Sequence, residues 1–161
     1  MPQIRLLFIA MLCPVLIGAH IVSVNNAHAS DNQDIEKASL VVENAYSYAL
    51  PETVKNGAVF LEIRNGGTET DFLVKAKSDV AEKVELHTHK HVDGIMRMRE
   101  VEKIEIPAGE IHSLEPMGDH IMIMGLKKAL TAESEFSITL EFENAGQKDV
   151  TVRVLSLGTQ P

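Results

Sequence analysis

From Ala38 onward the chain is cut into short apolar runs, each closed by a turn signal, and no apolar stripe of period 3.6 survives long enough to make a helix. Alternation of period two is plain in Phe136-Ser-Ile-Thr-Leu-Glu-Phe142 and in Val150-Thr-Val-Arg-Val154. Strands are expected over Leu40–Tyr48, Ala58–Arg64, Asp71–Ala76, Val84–His89, Ile95–Val101, Glu110–Leu114, His120–Leu126, Phe136–Glu143 and Val150–Leu157. Between them stand Asn65-Gly66-Gly67, Asp93-Gly94, Pro107-Ala108-Gly109, Pro116-Met117-Gly118 and Asn144-Ala145-Gly146, all turn-forming strings. Eight or nine strands suit an all-β sandwich or Greek-key barrel. At 161 residues, with no internal repeat and no long linker, one domain is the economical organisation.

The N-terminal segment has a different character. Arg5 precedes an apolar run, Leu6–Ala19, too short to span a bilayer comfortably and interrupted by Pro14 and Gly18. Ala27-His28-Ala29 supplies a small-x-small cleavage pattern, so residues 1–29 are expected to be a secretory signal and residues 30–161 the mature domain. The single cysteine, Cys13, lies inside this signal, and Ala10-Met11-Leu12 before it does not resemble a lipoprotein signal. The mature chain is then free of cysteine, without disulfides and without thiolate ligands. Loss of Arg5 leaves 14 basic against 23 acidic residues, so the net charge moves from −8 to −9. Such a chain offers phosphates no basic patch, which excludes a nucleic-acid partner and disfavours an anionic membrane surface. It does not oppose a cation.

Every His and Met beyond the signal falls between residues 87 and 124: His87, His89, His91, His112 and His120, with Met96, Met98, Met117, Met122 and Met124. If Asp93-Gly94 is a two-residue hairpin turn, Val92 pairs with Ile95, His91 with Met96 and His89 with Met98. Side chains two apart share a strand face, so His87, His89, His91, Met96 and Met98 then project from one face of one hairpin. Thr88, Lys90, Arg97 and Arg99 take the other face, expected to meet water. In His120-Ile-Met-Ile-Met124 the same alternation turns Ile121 and Ile123 into the core and leaves His120 and Met122 as a two-ligand clip. Thioether and neutral imidazole without thiolate suit copper(I), a soft ion. They do not suit Mg or Ca, which need oxygen, or structural zinc, which usually recruits Cys. A Cys-containing blue-copper centre is excluded, and no nucleophile set or phosphate loop is evident.

The spacing His87-x10-Met98-x21-His120-x-Met122 is similar to the copper motif of the periplasmic PCu(A)C copper chaperones. Val84-Glu-Leu-His-Thr-His89, Gly94-Ile-Met-Arg-Met-Arg99, Ile106-Pro-Ala-Gly109 and His120-Ile-Met-Ile-Met-Gly-Leu126 resemble that family too, and the likeness runs roughly from Leu40 to Val154. The resemblance implies a cupredoxin-like barrel that binds one copper(I) through His87, Met98, His120 and Met122. It also implies a non-enzymatic, monomeric periplasmic carrier whose partner is a copper-accepting protein, notably the CuA subunit of cytochrome c oxidase or its assembly factors. Storage, resistance or sensing of copper without an oxidase partner is the alternative. The family often has Met two residues after the first His; His89 stands there, an extra imidazole that could add copper(II) affinity. The other positions have plainer readings: Met124 and Met96 as packing residues, His91 as a loop residue, Met117 as a turn residue, His112 as a strand surface residue. Glu100, Glu102, Glu105 and Glu110 read as a solvated face, and Glu85 and Asp119 as neighbours that could set the field near the ligands.

Overall fold

The computed structural model describes residues 40–92 and 94–159, the side chains of His91 and Val92 excepted. The expected signal, Cys13 and Asp93 lie outside the described residues. Those described are all-β. Ten strands follow one another: β1 (Leu40–Tyr48), β2 (Asn56–Asn65), β3 (Asp71–Lys77), β4 (Lys83–Val92), β5 (Ile95–Glu100), β6 (Ile104–Ile106), β7 (Ile111–Leu114), β8 (His120–Met124), β9 (Glu135–Phe142) and β10 (Gly146–Leu155). Nine match the expected strands to within a few residues. The tenth, β6, goes beyond the eight or nine expected. Three residues between Lys103 and Pro107 are too few for alternation to register, yet Ile104 and Ile106 are buried and the strand pairs with β3.

The strands form one sheet in the order β5-β4-β8-β2-β1-β10-β9-β3-β6, with β7 also paired to β2. Its two halves share one core, since Leu86, Ile121, Ile123 and Val59 belong to the same apolar cluster as Leu73, Ile104, Ile138, Leu140 and Val152. Pairing is antiparallel except between β1 and β10. Gly146, at φ 75°, closes the β9–β10 hairpin from within the Asn144-Ala-Gly turn.

Two irregularities place the site. In β1 the register shifts between Glu43 and Tyr46, around Asn44 at φ 53°. This β-bulge resets the alternation so that Tyr46 comes to lie opposite Phe60 of β2. The second is the relation of β7 to β8. β2 pairs with β8 along Asn56–Val59 and with β7 along Leu61–Arg64. The two short strands are one interrupted strand, from which residues 115–119 loop out opposite Phe60. Glu115 N–H to the Asp119 carbonyl (2.8 Å) and Gly118 N–H to the Glu115 carbonyl (3.0 Å) close the loop, with Met117 left-handed at φ 70°.

Candidate metal centre

The β4–β5 hairpin has the register read from the sequence: Val92 pairs with Ile95, His91 with Met96 and His89 with Met98. Gly94 takes φ 77° at the turn, where a side chain would be strained. β4 also pairs with β8, and this no local pattern could reveal. It sets His87 directly opposite His120, Glu85 opposite Met122 and Lys83 opposite Met124. His87, Met98, His120 and Met122 therefore all lie on one face of three adjacent strands, together with His89. Leu86, Ile121 and Ile123 point the other way into the core.

The imidazoles converge. The His120 ring centroid is 5.8 Å from that of His87 and 5.1 Å from that of His89. On its other side Phe60 is 6.4 Å away, and Tyr46 packs on Phe60 at 5.2 Å. This aromatic wall leaves His120 only 3% exposed. Burial, reinforced by the nearby His89 and His87, holds its pKa below the ordinary imidazole value, so the ring is neutral and keeps a lone pair. Met122 is partly buried, whereas Met98, on edge strand β5, is 47% exposed.

In the neutral rings, acceptor-only partners decide which nitrogen carries the proton. His120 Nδ1–H donates to the Gly118 carbonyl (3.0 Å), and His89 Nδ1–H to the same oxygen (3.3 Å). Each is left with a bare Nε2. His87 is reversed: its Nε2–H donates to Glu85 Oε2 (2.7 Å). Its Nδ1 is buried with no hydrogen-bond partner, the one such side-chain atom among the described residues. Glu85 is held ionised by Lys83, bound to its other oxygen, and by His87, which together lower its pKa.

Several side chains differ from their sequence reading. Thr88 was expected in water with Lys90, Arg97 and Arg99. Those three are exposed, but Thr88 is buried where β4 lies against β8. His112 is not a plain surface residue. Its Nε2 pairs with Asp119 Oδ2 at 3.0 Å and is the main cause of that carboxylate's lowered pKa. Met124 is only partly buried, Met96 is exposed and Met117 is an exposed turn residue. Glu100, Glu102, Glu105 and Glu110 are solvated as expected. Sequence reasoning missed Phe60 and the Gly118 carbonyl. The apolar pattern of β2 flags Phe60 as a packing residue but does not say what it packs on, and a backbone carbonyl leaves no trace in residue type.

Among the described residues no three His, Cys, Asp or Glu side chains come together as a metal-holding group. This face offers imidazole nitrogen from His87, His89 and His120 beside the thioethers of Met98 and Met122, a donor set that favours a soft ion.

The family described as "Putative lipoprotein LpqE-like" matches residues 40–154. The Lxx21020 protein of Leifsonia xyli subsp. xyli is 38% identical over 98 residues, covering 60% of this chain and 59% of its own length. The chain thus spans less than two thirds of that relative. Among solved structures, copper(I)-bound DR1885 of Deinococcus radiodurans is 30% identical, with a TM-score of 0.59 over 71% of this chain and 76% of its own. The copper-bound PCuAC domain of PmoF2 has a TM-score of 0.62 at 19% identity, over 73% of this chain and 93% of that domain, a likeness of fold.

Proposed function

The chain belongs to the LpqE-like family and has the PCuAC fold, and from that premise we propose that it is an exported copper(I) chaperone, a carrier without turnover of its own. His87, Met98, His120 and Met122 are the ligands of one copper(I) ion. The observation that carries this reading is the opposed His87–His120 pair. Each ring has one nitrogen tied to an acceptor and the other bare, one of the bare nitrogens is buried with no partner, and Met98 and Met122 share the face. A soft cation at that point satisfies the orphaned His87 Nδ1, and the thioethers bind it without releasing a proton. Neutral imidazole at His120 removes the competition from protons.

The exposure of Met98 favours transfer over storage, because a ligand on a solvent-facing edge strand can be exchanged for one from a docking partner. The recipient is a copper-accepting protein, the CuA subunit of cytochrome c oxidase or its assembly factors, reached in the periplasm. The mature domain spans residues 30–161 once the signal over 1–29 is removed, and the lipoprotein description of the family supports export.

The deciding experiment replaces His120 and Met122 together by Ala and measures copper(I) affinity by competition with a colorimetric chelator. The expected result is loss of tight binding, a fall of at least about 100-fold, with the β-sheet circular dichroism unchanged. Retained affinity overturns the assignment. X-ray absorption of the loaded protein should show mixed sulfur and nitrogen scatterers.

A further inference from the structure

Resting on the copper(I) reading above, we propose that Glu85 is a positioning residue that makes His87 an Nδ1 ligand, opposite in sense to His120, which the looped-out Gly118 carbonyl makes an Nε2 ligand. The site is thus asymmetric at the level of single nitrogen atoms, although its two histidines face one another across one strand pair.

Three observations carry this. Glu85 is two residues before His87 on the same face of β4, and its Oε2 accepts from His87 Nε2 at 2.7 Å. Lys83, two residues earlier on that face, holds the other carboxylate oxygen, so Lys83, Glu85 and His87 form a chain along one strand. An ionised carboxylate can only accept, so Nε2 carries a proton, and in the neutral ring the lone pair is then on Nδ1. That Nδ1 is the buried atom without a partner. At His120 the acceptor is a backbone carbonyl and the bonded atom is Nδ1, so the lone pair is on Nε2. The carbonyl is available only because residues 115–119 are extruded between β7 and β8, which turns Gly118 back over the face. Metal-binding imidazoles generally donate their other N–H to a carboxylate or carbonyl, which orients the ring and raises its basicity. Here one ring uses each kind of anchor, and Glu85 lies directly opposite Met122.

The test is tautomer assignment by long-range proton–nitrogen NMR correlation on nitrogen-labelled protein in slightly alkaline buffer. In the copper-free protein His87 should appear with its proton on Nε2 and His120 with its proton on Nδ1. Anaerobic addition of copper(I) should shift Nδ1 of His87 and Nε2 of His120, leaving the protonated nitrogens in place. Glu85→Gln, whose amide oxygen still accepts, should keep the His87 tautomer. Glu85→Leu should lose it and weaken copper(I) binding by roughly 10–100-fold. A copper-free His87 protonated on Nδ1, a copper(I) shift at its Nε2, or an unchanged His87 spectrum in Glu85→Leu would each overturn the proposal while leaving the chaperone reading intact. Copper(I) that shifts no imidazole nitrogen at all overturns both.

Discussion

Asp71 is buried, yet its carboxylate accepts three backbone N–H groups: its neighbour Phe72 (2.7 Å), Asn144 (2.9 Å) and Ala145 (2.9 Å). It ties the start of β3 to the β9–β10 turn. Truncation leaves those donors unsatisfied, so Asp71→Ala is expected to cost about 3 kcal/mol, seen as a lower urea midpoint with an unchanged slope. The exposed pair Lys77–Glu141, at 3.7 Å, should contribute less than about 1 kcal/mol by the same measurement. Burial separates the two cases, and single-residue chemistry does not. Asp71 reads in the sequence as an ordinary polar strand start, and nothing local to His87 says that one of its ring nitrogens is buried without a partner. The sequence proposes the type of atom at each position. Whether it is orphaned, paired or solvated depends on neighbours far along the chain.

At the scale of elements the β4–β5 hairpin is the most legible part of the molecule. Its turn string and alternation lie within one short stretch, so the His89–Met98 pairing follows from local rules. Its outer face carries a cost: Lys90 is directly opposite Arg97, and among the described residues neither makes an ion pair. Like charges directly opposed destabilise a strand pair. Lys90→Glu is therefore expected to stabilise the hairpin by about 0.5–1 kcal/mol, read as slower amide hydrogen exchange along β5 and fading as salt approaches about 1 M. The charges have a use where they are, since Arg97 and Arg99 blunt an edge strand that would otherwise offer its free backbone groups to another chain. The interrupted β7–β8 strand is the opposite case. Both halves were expected as strands, but that they are one strand along β2, with an extruded loop delivering a carbonyl, is a matter of pairing between distant segments.

For the whole molecule, a ligand that binds only the folded state raises its stability by mass action. Free copper(I) at a hundredfold excess over its dissociation constant should add about 2.7 kcal/mol, or roughly 5–10 °C in Tm for a domain of this size. A thermal melt under reducing conditions checks this, and the His120→Ala, Met122→Ala double variant should show no rise. The sequence by itself determined the class of fold, nine of the ten strands, the hairpin register and the soft character of the donor set. These depend on residue type and on spacing within a few positions, where period two and turn chemistry operate. Only the tertiary structure decided that β8 lies between β4 and β2, that Phe60 walls in His120, that Thr88 turns inward and that one imidazole is left with a buried bare nitrogen. Alternation says which face a side chain takes but never which strand lies beside it. That choice is made by the burial of the shared core, in which every strand competes for the same interior.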